Sequence, residues 1–296
     1  MITTNTAFTV PLYKNSINSL SMSGDEFEKW RKYIYNNCGI YFQDNKKYLL
    51  ESRLIKRINF LNLNSYDEYL HYLLFNSAGY AEKNYLYEAI TINETFFFRN
   101  QPQLDALIGL VLPELINDKL KKGTDKLKIW SAGSSSGEEA YSAAIVIDDL
   151  LKTKYPSMNF EITGTDINEA VIKTAQQGIY KTYSMRNTPA NYIKKYFKTH
   201  ENNFVLEQGI KNKVNFRLIN LYDDNSMKSM FNYDVIFCAN VLIYFDLKSK
   251  IKVVNHLYNS LNRGGYLFIG YSETLHNISQ AFKIISFAKT IGYKKE

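Results

Sequence analysis

The sequence predicts an α/β fold: a Rossmann-like parallel sheet wound on both sides by helices, preceded by a small all-helical domain and carrying a small β-rich insertion. Three observations predict it. From Ser23 to about Ile92 apolar residues recur at helical spacing, with no strand pattern between them. After about Pro102 the rhythm changes to short apolar runs separated by helical stretches. Between Gly178 and Lys213 that rhythm breaks into polar turns and a short alternating Phe204-Val205-Leu206, which marks an insertion.

Taken in order, residues 1–22 show no periodicity and are expected to be a flexible N-terminus. The helical domain spans 23–92 and opens on the capping box Ser23-x-x-Glu26, whose helix buries Phe27, Trp30 and Ile34 and stops near Gly39. Asp44 is expected to cap a second helix with Leu50, Leu54, Ile58 and Leu61 on one face. Ser65-x-x-Glu68 boxes a third, carrying Leu70, Leu73 and Leu74. Residues 93–122 form a junction and a linker helix, and 123–296 the sheet domain, with the insertion at 179–213. Strands are expected at 127–132, 160–166, 214–220, 233–239 and 265–271, and helices at 137–155, 168–177 and 247–261. Two closing pieces, 282–286 and 290–294, fit an antiparallel end to the sheet.

Composition narrows the function class. A 296-residue chain with 45% hydrophobic and 15% aromatic residues can bury two cores. With no signal-peptide pattern and no long apolar run, it is expected to be cytoplasmic. Two cysteines 200 residues apart and four scattered histidines offer neither a disulfide framework nor metal-ligand spacing. The net charge of +7 admits nucleic acid, a membrane or an acidic protein as partner.

The stretch Ile129-Trp130-Ser131-Ala132-Gly133-Ser134-Ser135-Ser136-Gly137-Glu138-Glu139 reads as a buried strand, a small-residue turn and a helix opening on two acids. Such a turn holds a nucleotide-like ligand, yet it has neither the Gly-Lys-Ser/Thr of a triphosphate loop nor the G-x-G-x-x-G of a pyrophosphate site. Acids at a helix mouth repel phosphate and suit a cation. S-adenosylmethionine, with a sulfonium, an ammonium and no phosphate, fits. Asp166 ends the next strand, where a carboxylate can accept both hydroxyls of a ribose. Periodicity leaves open whether Glu138 or Glu139 faces the ligand.

Three further groups stand out. Arg99 leaves the aromatic run Phe96-Phe97-Phe98, itself expected to be core, and can close an interdomain salt bridge or hold a carboxylate in the cleft. Asn240 and Tyr244 follow a strand and should stand at the same sheet edge as Asp166. Lys46, Arg53 and Arg57 fall within an arc of about 40° on the second helix, either a solvated face or a stripe for an acidic helical partner.

In that order these blocks resemble the chemotaxis receptor glutamate methyltransferases, the CheR-type family, from Ser23 onward. Asn93-x-Thr95-x-Phe97-Phe98-Arg99 is similar to the family's junction motif, and Trp130 to Ser142 to its cofactor turn. Asn220-Leu221 is similar to the family's adenine-side pair, and Asn240 to Phe245 and Gly270-x-Ser272-Glu273 to its later motifs. Ala239 stands where the family usually has Arg, and the insertion lacks a run of glycines. The resemblance implies an S-adenosylmethionine-dependent methyltransferase domain in which Asn93, Thr95, Arg99, Gly133, Glu139, Asp166, Asn220, Leu221, Ala239 and Asn240 bind the cofactor. It further implies methyl transfer to glutamates on the helical cytoplasmic domain of membrane chemoreceptors, with no metal and no membrane insertion. Arg99 and Tyr244 are expected to orient the acceptor, and Lys46, Arg53 and Arg57 to meet the receptor. A nucleic-acid methyltransferase would need an Asn/Asp-Pro-Pro-aromatic or Pro-Cys motif, and the chain has neither. A non-catalytic cofactor-binding scaffold is the other alternative, with Ala239 its only sign.

Overall fold

In the computed structural model the structure describes residues 20–296, so most of the segment expected to be flexible lies outside the described residues. Met22 is fully buried and the Tyr66 hydroxyl donates to the Leu20 carbonyl, so residues 20–22 of the segment expected to be flexible are packed against the helical domain.

Four helices build the first core: α1 (Gly24–Cys38), α2 (Lys47–Phe60), α3 (Tyr66–Phe75) and α4 (Gly79–Ile90). The Ser23 box is formed in both directions, and α1 stops where Gly39 turns left-handed at φ 73°. Trp30, Ile34, Leu50, Leu54 and Ile58 are fully buried together. Two expectations fail here. Asp44 caps nothing: it sits in a 3-10 turn and pairs with Arg31, and α2 begins three residues later. Leu74 is 52% exposed because Tyr66 and Tyr69 fill the inner face of α3 instead.

The linker holds α5 (Gln101–Ala106), a π-turn at Leu107–Val111 and α6 (Leu112–Lys121). Beyond it come β1 (Lys126–Ala132), α7 (Glu138–Lys154), β2 (Asn159–Asp166) and α8 (Glu169–Gln177). The insertion contributes β3 (Ile179–Lys181), α9 (Thr182–Met185), α10 (Ala190–Tyr196), β4 (Phe197–His200), β5 (Asn203–Leu206) and α11 (Gln208–Lys211). The sheet resumes with β6 (Val214–Leu218), α12 (Asp224–Met227), β7 (Tyr233–Cys238), α13 (Leu247–Ser260) and β8 (Leu261–Ile269). β9 (Phe282–Ser286) and β10 (Ile291–Lys295) close it.

The main sheet has the order β6-β2-β1-β7-β8-β10-β9. Its first five strands are parallel and the last two antiparallel, as the closing pieces led one to expect. Alternation on β1 feeds both faces: Leu127 and Ile129 enter the core beneath α7, while Trp130 and Ala132 enter the one beneath α13. The insertion forms its own antiparallel sheet, β3-β5-β4. The polar run expected as a turn at 198–203 is mostly strand β4, with only Glu201 and Asn202 turning. The reason is tertiary, since Phe197 packs edge-on against the ring of Phe97 and draws that strand inward.

Candidate active site

A cavity of about 300 Å³ opens at the C-terminal edge of the parallel strands, between the sheet domain and the helical domain. Asn93, Thr95, Arg99, Gly133, Glu139, Asp166, Asn220, Leu221, Ala239, Asn240 and Tyr244 all line it. The helical domain helps to wall the cavity, because its backbone is stitched to the sheet domain there. Ile40 bridges Phe245, the Tyr41 amide donates to the Tyr244 carbonyl at 3.0 Å, and Asn37 accepts from the Asn220 side chain at 2.7 Å.

Three loop residues in this wall are not glycine yet have positive φ: Phe98 (57°), Ser135 (51°) and Asn240 (61°). Such backbone strain persists only where the surroundings hold it, and it gathers at functional sites. Each has its clamp. The Phe98 amide donates to Ser142 Oγ at 2.9 Å, so Phe97 and Phe98 turn inward while Arg99 turns toward the cavity. The Ser135 amide donates to Asp166 Oδ2 at 2.9 Å. The Asn240 amide donates to Glu273 Oε2 at 2.9 Å, and the same carboxylate takes Gly270 at 2.6 Å and Ile243 at 3.1 Å. Glu273, which the sequence shows only as part of a motif, takes two amides of the turn after β7 and one of its own segment, and so holds that turn against the end of β8.

Glycine is required at position 133, where φ is +75° and an added Cβ would lie 2.4 Å from Val241 Cγ2. Of the two acids opening α7, Glu138 is buried and accepts from Ser136 and Ser184, tying the insertion to the helix. Glu139 faces the cavity, accepts from Ser131 Oγ at 2.8 Å, and burial pushes its carboxyl up to about 7. A carboxyl so placed is primed to ionise against a cation. Burial also raises Asp166, opposed by the amides of Asn168 and Ser135, which hold its two oxygens in place. Tyr244 is raised by burial against the pull of Arg53 and Arg99, and remains a phenol donor at neutral pH. The Arg99 guanidinium donates to the Glu94 carbonyl at 2.6 Å and lies 5.6 Å from the Phe96 ring, so neither Arg99 nor Phe96 is a buried structural group.

The basic stripe does not survive as one surface. Lys46 is exposed, in the 3-10 turn before α2. Arg53 is half-buried, donates to the Ile90 carbonyl and faces Tyr244. Arg57 forks onto Glu82 at 2.9 and 2.8 Å, beside the Tyr69 hydroxyl and between the rings of Phe60 and Tyr85. It is an internal clamp of the helical domain. Spacing along α2 could not reveal Glu82, which comes from another helix. Asn220 was read as an adenine-side residue, yet its side chain is engaged with Asn37 and the Tyr222 amide, leaving its backbone and Leu221 for a ligand.

The donor set suits S-adenosylmethionine. A backbone cradle at Gly133 admits no side chain, Asp166 offers a fixed carboxylate, and Glu139 offers a second at the helix mouth, while no phosphate-binding cation stands among the turn residues. The sheet order and this site define an S-adenosylmethionine-dependent methyltransferase. Residues 93–291 match the family described as CheR methyltransferase, SAM binding domain, and residues 25–91 the CheR methyltransferase all-alpha domain. The chain is 34% identical over 280 residues to chemotaxis protein methyltransferase 2 of Vibrio cholerae, covering 94% of this chain and 96% of that one. It is 33% identical over 285 residues to the chemotaxis protein methyltransferase of Borreliella burgdorferi, covering 95% and 98%. With chemotaxis protein methyltransferase 1 of Pseudomonas aeruginosa the identity is 33% over 279 residues, covering 93% and 99%. The chain belongs to the CheR methyltransferase family.

Proposed function

We propose that this enzyme methylates glutamate side chains on the helical cytoplasmic domain of membrane chemoreceptors, forming methyl esters that serve sensory adaptation. The observation that carries the reading is Arg99: a guanidinium at the cavity, bound only to a carbonyl among the described residues, beside a phenol. Asn93, Thr95, Gly133, Glu139, Asp166, Leu221, Ala239 and Asn240 would hold the cofactor, whose sulfonium supplies an electrophilic methyl when bound. A glutamate acceptor, with an ordinary pKa of about 4.3, is already ionised at neutral pH and needs no general base. The chain's task is then to aim one carboxylate oxygen along the S–CH₃ axis and to strip it of water. Arg99 steers that carboxylate, Tyr244 donates to it, and the apolar walls of Ile92, Phe96 and Ile243 exclude solvent. Lys46 and Arg53 draw the acidic helix toward the cleft, and Arg57 has no part in this. The enzyme acts in the cytoplasm, where those receptor domains lie; no described helix is long and apolar enough to cross a membrane.

Labelled S-adenosylmethionine with receptor-containing membranes tests the reading. Label on the receptor should be released by mild alkali as methanol, and Tyr244→Phe should lower turnover at least tenfold with S-adenosylhomocysteine affinity kept. Base-stable label, or label only on added nucleic acid, would overturn it.

A further inference from the structure

Among the described residues, two buried polar atoms belonging to residues of the cavity wall have no hydrogen-bond partner: Ser134 Oγ and Gln103 Oε1. Gln103 stands on α5 and is only 5% exposed, and its Nε2 donates to the Ile269 carbonyl at 2.6 Å. Only an N–H can serve a carbonyl, so that bond fixes the amide's orientation and leaves Oε1 as the free acceptor. A buried acceptor without a donor is unfavourable, and in a cavity wall the donor can come from a ligand.

The order of the sheet says which part of the ligand that is. Along its C-terminal edge stand Asn220 and Leu221 after β6, Asp166 at the end of β2, Gly133 after β1, Asn240 after β7, and Ile269 at the end of β8. Adjacent strands are about 4.8 Å apart, so Gln103, held on Ile269, lies at the opposite end of the site from the adenine segment. With the ribose on Asp166, the methionine moiety extends toward β7 and β8. That moiety has a sulfonium with no donor, a carboxylate that only accepts, and an ammonium with three N–H groups. The Phe98 amide on Ser142 pins the segment leading into α5 to the face of α7 that carries Glu139, three residues earlier.

We infer that Gln103 Oε1 accepts a hydrogen bond from the α-ammonium of bound S-adenosylmethionine, sharing that group with Glu139. Gln103 thereby selects for the amino-acid end of the cofactor, where Glu139 alone would take any cation. The inference rests on the placement of the cofactor in this cavity proposed above.

Calorimetry of the full chain with S-adenosylhomocysteine and with 5′-methylthioadenosine, which lacks the ammonium and carboxylate, tests it. Gln103→Met, close in volume but without the acceptor, should weaken S-adenosylhomocysteine about tenfold and leave 5′-methylthioadenosine within twofold of wild type. Gln103→Ala should give the same split if it folds, which a thermal melt reports. Equal losses for both nucleosides would mean that Gln103 only supports the wall, and unchanged affinity for both would remove it from the site. Either result overturns the inference while leaving the cofactor site standing; failure of the wild type to bind either nucleoside would overturn the placement itself.

Discussion

At the scale of the residue, Glu139 should give the proposed cofactor site its pH dependence. Burial in the unliganded site raises its carboxyl from 4.5 to about 7, whereas pairing with an ammonium favours the ionised form. Affinity for S-adenosylhomocysteine should therefore rise with pH through about 7, falling toward tenfold per unit below that value. Stability of the unliganded protein runs the other way. Between 4.5 and about 7 the folded state holds a proton that the unfolded chain has lost, so stability declines as pH rises through that window. Glu139→Gln should flatten both dependences and weaken binding at high pH. Calorimetric titration across the range checks this, and a pH-independent wild-type affinity would exclude Glu139 from the ammonium contact. That an acid opening α7 faces the cavity was legible from the turn at Gly133. Periodicity did not choose Glu139 over Glu138, because neighbours on a helix lie about 100° apart; the resemblance pointed to Glu139, and Ser136 and Ser184, the latter from the insertion, show where Glu138 points.

At the scale of the element, the turn after β7 decides how well the site is formed. It places Asn240 in a left-handed conformation just before Tyr244, and two of its amides, those of Asn240 and Ile243, bind Glu273, which stands beyond β8 and also takes the Gly270 amide beside it. Glu273→Ala should leave those donors unmatched, lowering turnover more than tenfold while circular dichroism stays native. Glu273→Gln, whose side-chain carbonyl can still accept from two of the amides, should restore a large part of it. If both variants turn over like wild type, the turn is held by its own strands. Sequence periodicity found these strands but misplaced their ends. β8 begins at Leu261, four residues before the expected start, because its pairing with β7 shifts register between Tyr233 and Val235. Likewise β4 was read as a polar turn, since strand residues exposed on a small two-faced sheet carry no apolar alternation.

At the scale of the whole molecule, the helical domain is part of the wall of the candidate site. Its Ile40 and Tyr41 pair with the turn bearing Tyr244, and Asn37 holds Asn220, so the domain proposed to meet the receptor also fixes the backbone of the tyrosine proposed to orient the acceptor. Charge at its surface acts mainly on encounter and is screened beyond about 8 Å at physiological salt. Lys46→Glu with Arg53→Glu should thus cut receptor methylation several-fold at low salt and less at high salt, with S-adenosylhomocysteine affinity kept. Arg57→Ala should behave differently. It strands the buried Glu82 carboxylate and should lower stability by about 3 kcal/mol in urea unfolding, with little effect on receptor encounter. Loss of encounter without loss of stability in Arg57→Ala would return that residue to the recognition surface.

The sequence by itself determined the plan of a helical domain followed by a sheet covered on both faces, the sheet's parallel half and antiparallel end, and the segments that meet at its C-terminal edge. These follow from periodicity, caps and turn chemistry, which act within a few residues of chain. Only the tertiary structure decided which side chains those segments aim into the cavity. It turned Glu138 to the insertion, Asn220 to Asn37 and Arg57 to Glu82, and it brought Gln103 and Glu273 to the site from α5 and from beyond β8. Each of those outcomes depends on a partner distant in the chain. A buried polar group takes its direction from whichever donor or acceptor the fold sets beside it, and no local pattern encodes that.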